Sequence, residues 1–229
     1  MIFESIIEQK APRVILFFNG WGQSSQLVRH LTSTGYDVLA VSDYRCLPET
    51  AAENIRERLM NYAAVKLIAW SLGVFAAEYL FHKQAELFSD AVAVNGTIRP
   101  ADDEFGIAPA IFRGTADLWS ERSRNKFKIR MSGNTPAELE LLNLPPERTV
   151  AEQQKELYDL LELAGQSFAD KSTIFRRAYV GVQDKIFLPA NQLAAWQSYA
   201  IPVQELPHPH AFWSRLANWE QLLNEGGNE

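Results

Sequence analysis

A short apolar run that leads through a serine into a helical pattern constrains the fold of this chain more than any other feature. Residues 64–68 are typical of a buried strand, and residues 74–80 have the pattern of a helix. Between them lies Ala69-Trp70-Ser71-Leu72-Gly73, with a small residue two places to either side of the serine. This spacing is typical of a tight strand–turn–helix elbow that presents a nucleophilic hydroxyl above a sheet. We predict Ser71 as the nucleophile and the N–H of Leu72 as an oxyanion donor.

Strand-like runs alternate with helical patterns along most of the chain, which predicts a mostly parallel sheet flanked by helices. The predicted strands are 13–18, 37–42, 65–70, 90–94, 177–182 and 203–206. The predicted helices around them are 25–34, 50–61, 74–85, 190–199 and 212–223. The fold class is therefore α/β.

The strand pattern stops between Asp117 and Thr173, where the sequence becomes helical instead. Thr149-Val150-Ala151-Glu152 has the form of a capping box, and Gly165 is suited to ending the helix that follows it. We predict a sheet-containing core of residues 1–117 and 174–229, with a helical cap inserted at 118–173. Such a cap would cover the carboxyl edge of the sheet, where open α/β sheets bind ligands.

Composition and charge exclude several classes of function. The chain has 229 residues, of which 47% are hydrophobic, so it can bury a substantial core. Its net charge of −6 argues against a nucleic-acid partner. No apolar run reaches the roughly 18 residues that span a bilayer, and the first residues do not resemble a secretion signal. We expect a cytoplasmic monomer that does not bind membranes.

Histidine and cysteine are scarce, with four histidines and the single Cys46. A lone cysteine fits a reducing compartment, and so few ligands give poor support for a metal site. We expect neither a metal nor another cofactor.

An activated serine needs a base, and the base needs an acid that orients it. In sheets of this kind both follow late strands, with the acid first in the chain. Asp184 follows the strand 177–182 and is predicted as the acid, with Asp117 as the alternative. His210 stands at the turn into the last helical pattern and is predicted as the base, with His208 as the alternative. An imidazole, with an ordinary pKa of about 6.5, can take and return a proton near neutral pH.

A glycine-rich turn follows the first predicted strand, with the sequence Phe17-Phe18-Asn19-Gly20-Trp21-Gly22. Its glycines would let the backbone approach a substrate, so the N–H of Trp21 is predicted as the second oxyanion donor. The side chains of Trp21 and Trp70 would line the pocket. The alternative is a turn that only packs a core tryptophan. A dinucleotide fingerprint is excluded because its third glycine is missing.

Five basic residues begin the predicted cap, namely Arg122, Arg124, Lys126, Lys128 and Arg130. In a helix, Arg122, Lys126 and Arg130 would form one stripe, while the other two project elsewhere. The segment is either a solvated helix face or a binding surface for an acidic partner or a phosphate-bearing substrate.

Several motifs together resemble one family, the α/β-hydrolase-fold carboxylesterases of the BioG type, which cleave the methyl ester of pimeloyl-acyl carrier protein in biotin synthesis. The resemblance spans nearly the whole chain, and its motifs are Phe17-Phe18-Asn19-Gly20-Trp21-Gly22, Ala69-Trp70-Ser71-Leu72-Gly73, Asn95-Gly96-Thr97, Asp102-Asp103-Glu104-Phe105-Gly106-Ile107, Ala110-Ile111-Phe112, Gly181-Val182-Gln183-Asp184-Lys185-Ile186-Phe187 and His210-Ala211-Phe212. The combination is specific, whereas no single motif would suffice. The chain departs from the wider hydrolase pattern at Ala69, where glycine is usual.

The resemblance implies an α/β-hydrolase fold and a serine carboxylesterase that releases methanol from pimeloyl-acyl carrier protein methyl ester. It implies Ser71 as nucleophile, Asp184 as acid, His210 as base, and oxyanion donors at Trp21 and Leu72. It further implies an acyl carrier protein as partner, which the basic segment matches in kind. The alternatives are a thioesterase or short-chain esterase with the same residues, and a non-catalytic binding protein that keeps the scaffold.

Overall fold

The strands of the computed structural model, which describes residues 1–48, 50–145, 148–165 and 172–223, form one sheet of seven strands. They are β1 (Ile2–Ile7), β2 (Arg13–Phe18), β3 (Asp37–Ser42), β4 (Ala64–Trp70), β5 (Asp90–Val94), β6 (Arg177–Gly181) and β7 (Val203–Leu206). Their order across the sheet is β1-β3-β2-β4-β5-β6-β7. β1 pairs antiparallel with β3, and all other neighbours are parallel.

The α-helices of the described residues lie beside the sheet and above its carboxyl edge. They are α1 (Thr50–Leu59), α2 (Leu72–Phe81), α3 (Pro109–Asp117), α4 (Glu121–Met131), α5 (Pro136–Leu142), α6 (Val150–Ala164) and α7 (Pro189–Ser198). Helices α3 to α6 are inserted between β5 and β6, so the helical region begins before residue 118, where we expected the cap to start. Residues 146–147 and 166–171 of the predicted cap lie outside the described residues. No helix in the described ranges is long and apolar enough to cross a membrane.

The central strands fill a core on each face of the sheet because their side chains alternate in direction. In β2, Val14, Leu16 and Phe18 belong to the core that α2 covers. Ile15 and Phe17 belong to the core on the opposite face. All five are fully buried, which explains why the strand is an unbroken apolar run.

Two of the predicted helices, 25–34 and 212–223, were wrong. The first contains only a 3-10 turn at Ser25–Val28, and the second only 3-10 turns at Trp213–Arg215 and Trp219–Leu222. Both lie on the face of the sheet that contains Phe17. The indole rings of Trp213 and Trp219 fill the space there, with centroids 5.3 and 5.0 Å from the ring of Phe17. Large buried rings, together with Met131 of α4 and Leu142 of α5, thus fill this face in place of the two predicted helices.

Strand β1 was missed by the sequence reasoning. It is the antiparallel edge strand of the sheet, and its residues are mostly half-buried against β3. The six predicted strands correspond to β2–β7 and are confirmed within one residue at each end.

Candidate active site

Ser71 lies at the turn between β4 and α2, with φ 59° and ψ −130°. Such a backbone conformation is unfavourable for a residue with a side chain and persists only where the surroundings enforce it. A Cβ added at Gly73 would lie 2.4 Å from the carbonyl oxygen of Asn19, and one at Gly96 would lie 2.3 Å from that of Ser71. The turn at Ser71 therefore leaves no room for a side chain at Gly73, or at Gly96, which follows β5. Ala69 is fully buried within β4, where its methyl group is accommodated.

Three side chains form a continuous hydrogen-bonded chain at this turn. His210 Nε2 lies 3.0 Å from Ser71 Oγ, and His210 Nδ1 lies 2.8 Å from Asp184 Oδ2. The exposed fractions are 6% for Ser71, 3% for Asp184 and 0% for His210. An imidazole placed in this way can accept a proton from the hydroxyl while the carboxylate fixes its tautomer.

Asp184 is held by donors from its own loop and from α7. Its Oδ1 accepts the backbone N–H groups of Ile186 and Phe187 at 2.7 and 3.1 Å. Its Oδ2 also accepts the side-chain amide of Gln192 at 3.0 Å. The loop after β6 thus fixes the carboxylate in the orientation that meets His210.

The loop that carries His210 is anchored by Asn95 and Trp70. Asn95 Nδ2 and Trp70 Nε1 donate to the His210 carbonyl oxygen at 2.8 and 3.0 Å. Asn95 Oδ1 accepts the N–H of Gly181 at 2.7 Å, so one side chain joins the ends of β5 and β6 to the histidine loop. The sequence marked Asn95 only as part of the motif Asn95-Gly96-Thr97. Its signal was an Asn-Gly pair directly after a strand.

The alternative residues lie elsewhere. His208 packs against the ring of Phe212 with centroids 5.1 Å apart, and burial lowers the pKa of this histidine. Asp117 is the last residue of α3, where its Oδ1 accepts the hydroxyl of Tyr158 at 2.7 Å. Neither forms a hydrogen bond with Ser71 or His210.

The turn after β2 lies directly beside Ser71. A Cβ added at Gly20 would stand 3.4 Å from the Cβ of Ser71 and 2.7 Å from the indole of Trp70. Within the described ranges, the backbone N–H groups of Trp21 and Leu72 have no hydrogen-bond acceptor. Both residues are almost fully buried. Two unpaired donors beside a serine hydroxyl suit a site in which negative charge develops on oxygen.

A cleft opens beside Ser71, between the turn after β2, the start of α2 and the helices of the cap. Trp21 and Trp70 line it together with mostly apolar side chains. The apolar lining comprises Leu72, Ile107, Ile111, Phe112, Phe127, Met131, Leu157, Ile186 and Phe187. Among the described residues, no group of three or more His, Cys, Asp or Glu is placed to hold a metal ion.

The five basic residues of α4 divide into two sets. Arg124 and Lys128 are buried, which corrects their inclusion among the residues expected to bind an acidic partner or substrate. Arg124 donates to the carbonyl oxygen of Arg148 at 3.0 Å, and Lys128 donates to Asn143 Oδ1 at 3.0 Å. The exposed set is Arg122, Lys126 and Arg130, and Arg130 also lines the cleft.

Comparisons with known proteins show the family of the chain. The family model described as "Pimeloyl-ACP methyl esterase BioG" matches residues 3–222. The crystal structure of BioG from Haemophilus influenzae is 33% identical in sequence and superposes with a TM-score of 0.82, covering 97% of this chain and 99% of that one. An uncharacterised protein of Haemophilus influenzae is 36% identical over 94% of this chain and 96% of its own length.

More distant matches extend the comparison. A malonyl-[acyl-carrier protein] O-methyltransferase of Bacteroides fragilis is 33% identical over 86% of this chain, which spans only 39% of that protein. An epoxide hydrolase of Bacillus megaterium is 16% identical, with a TM-score of 0.66 over 97% of this chain and 93% of that one, and shares the α/β-hydrolase fold. With a family match over nearly its whole length, the chain belongs to the BioG family.

Proposed function

We propose that this protein is a serine carboxylesterase that hydrolyses the methyl ester of pimeloyl-acyl carrier protein. Its membership of the BioG family supports the reaction and the substrate. The observation that carries the mechanism is the hydrogen-bonded chain from Ser71 through His210 to Asp184 beside an apolar cleft.

In this mechanism, His210 Nε2 takes the hydroxyl proton as Ser71 Oγ attacks the methyl-ester carbonyl carbon. The N–H groups of Trp21 and Leu72 donate to the oxyanion that forms. The carbon–oxygen bond to methanol then breaks, and His210 returns its proton to the departing methoxide oxygen. Water, deprotonated by His210, then attacks the acyl carbon. The bond from that carbon to Ser71 Oγ breaks, His210 returns the proton to Ser71 Oγ, and the carboxylic acid product leaves. Asp184 holds the imidazole in the required tautomer throughout.

The cleft and the surface of α4 suit a carrier-linked acyl chain. Apolar walls favour the methylenes of a pimeloyl group, and the exposed Arg122, Lys126 and Arg130 offer an acidic carrier protein a positive contact. The carrier's own thioester must survive, so selectivity depends on which carbonyl reaches Ser71. The Bacteroides fragilis relative also carries the name of an enzyme of acyl carrier protein chemistry.

Mass analysis of the products tests this proposal directly. Incubation with pimeloyl-carrier-protein methyl ester should remove the ester methyl group and leave the acyl chain on the carrier. Loss of the whole acyl chain would instead indicate a thioesterase. Ser71→Ala should keep the fold and reduce turnover by about 10⁴-fold or more, because the three residues act as a unit. A wild-type protein inert toward both the ester and a serine-directed phosphonate would contradict catalysis altogether.

A further inference from the structure

The turn that carries Trp21 is held in place by helix α6 of the cap. The N–H of Gln23 donates to the carbonyl oxygen of Gly20 at 3.3 Å, which closes a four-residue turn with Gly22 at φ 70°. The indole N–H of Trp21 donates to the carbonyl oxygen of Gln153 at 2.7 Å. The side-chain amide of Gln153 donates in turn to the Gly22 carbonyl oxygen at 2.9 Å.

A charged acceptor on α6 adds a further restraint. It is Glu156, whose side chain has no exposed surface. Its carboxylate accepts the N–H of Gly22 at 3.1 Å and the N–H of Tyr44 at 2.8 Å. Arg148 Nη1 pairs with it at 2.7 Å. Burial raises the pKa of Glu156, and the charge of Arg148 opposes that shift. A buried carboxylate needs this number of donors.

The second contact of Glu156 also leads back to the turn. Tyr44, whose N–H the carboxylate accepts, donates its hydroxyl to the Asn19 carbonyl oxygen at 2.5 Å. Glu156 therefore restrains the turn after β2 at both ends, directly at Gly22 and through Tyr44 at Asn19.

We propose that Glu156 is a positioning residue for the oxyanion hole, an inference that rests on the function proposed above. Trp21 stands between Gly20 and Gly22, and glycine leaves a backbone freer than any other residue. The direction of the Trp21 N–H thus depends on contacts that hold the neighbouring peptides. By fixing the N–H of Gly22, Glu156 fixes the peptide that follows Trp21. It acts through the backbone and does not touch substrate.

The test is Glu156→Gln, assayed on a small soluble ester that needs no carrier. The amide has nearly the same shape, but its NH₂ group must face a donor, so one of the three contacts is lost. We expect kcat to fall about 10- to 100-fold with KM nearly unchanged, because a displaced oxyanion donor should cost less than the roughly 10²–10³-fold that follows its complete loss. The affinity for a trifluoromethyl ketone, which forms a tetrahedral oxyanion on serine, should weaken in parallel.

Glu78→Gln is the matched control. Glu78 is an equally buried carboxylate of α2 that accepts the N–H of Ile174 at 3.1 Å and pairs with His82, without contact to the turn. It should lower the free energy of unfolding but leave kcat and ketone affinity unchanged. If Glu156→Gln does not fold, Glu156→Asp keeps the charge with a shorter reach and should show a smaller loss of kcat.

Two results would overturn the inference. One is an unchanged kcat or ketone affinity in a folded Glu156 variant, and the other is an equal loss of kcat in Glu78→Gln. Failure of the proposed function is recognised separately, because the wild type would then not hydrolyse the methyl ester, or Ser71→Ala would hydrolyse it as fast as the wild type.

Discussion

His208 and His210 stand two positions apart in the chain but lie in different surroundings. His210 is fully buried and bridges Ser71 and Asp184, whereas His208 is half-buried against Phe212. Pro209 between them is part of the backbone that Asn95 anchors, since Asn95 Nδ2 also donates to its carbonyl oxygen at 3.1 Å. One anchored segment thus directs one imidazole to the serine and leaves the other outside the site.

We predict that His210→Ala reduces kcat about as much as Ser71→Ala, on the order of 10⁴-fold, because both belong to one catalytic unit. His208→Ala should change kcat little, since its ring packs on Phe212 and forms no hydrogen bond with Ser71 or Asp184. Steady-state hydrolysis of a small ester measures both variants. An inactive His208→Ala beside a normal His210→Ala would reverse the assignment of the base.

For single residues, the sequence was enough to predict Ser71, Asp184 and His210 as site residues, because a local pattern marks each of them. The residues that hold them in place left no comparable signal. Asn95 reaches the His210 loop 115 positions away, and Glu156 reaches Gly22 134 positions away. Contacts between such distant parts of the chain are set by the fold and have no spacing that a sequence pattern could reveal.

Helix α4 presents one face to the protein and another to solvent. Its buried Arg124 and Lys128 donate hydrogen bonds to other segments of the cap. Its other basic residues follow each other one turn apart on the exposed side, namely Arg122, Lys126 and Arg130. The helical period predicted this stripe correctly. It could not show that the remaining two cations point inward, because basic side chains are rarely buried.

Reversing the exposed stripe with Arg122→Glu, Lys126→Glu and Arg130→Glu should lower kcat/KM for the carrier-linked ester. An acidic carrier would then meet negative charge on a protein that is already acidic, which slows association. Hydrolysis of a small neutral ester should change much less. Added salt should also reduce kcat/KM of the wild type on the carrier-linked substrate.

Lys10→Glu, Arg56→Glu and Lys83→Glu give the same change in net charge at exposed positions outside the cap. This control should leave the carrier reaction close to that of the wild type. Equal losses in both triple variants would show that net charge, and not the α4 stripe, governs the encounter. Equal losses on both substrates in the α4 variant would indicate a damaged cap.

Across the whole molecule, the two faces of the sheet are built differently. One face is covered by α-helices, and on the other 3-10 turns and buried indoles pack together with the ends of α4 and α5. Sequence periodicity predicted helices for both faces because apolar residues recur at helical spacing in either case. The large rings of Trp213 and Trp219 fill the space on the second face, so short 3-10 turns suffice there where helices were predicted.

We predict that Trp219→Ala lowers the free energy of unfolding by about 3–5 kcal/mol, the usual cost of emptying a large buried aromatic site. Trp219 is fully buried and packs on Phe17 and Trp213. Denaturant unfolding measures the change, with Met60→Ala as a control at a side chain that is 77% exposed. A loss no larger than that of the control would show that the indole of Trp219 does not stabilise this face. Ester hydrolysis by folded Trp219→Ala should stay near the wild-type rate.

The contacts of α6 also decide how a substrate reaches the serine. Glu156 ties this helix to the turn after β2 and to Tyr44, and Gln154 Nε2 donates to the Ala116 carbonyl oxygen of α3 at 2.7 Å. A lid that swung away here would have to separate Arg148 of the cap from Asp43, which follows β3 and pairs with it at 3.0 Å, and abandon the backbone beside Ser71. We therefore expect α6 to act as a fixed wall, past which the acyl chain of the proposed substrate would enter the cleft. Discrimination among substrates would then rest on chain length and rigid fit, without a closing motion.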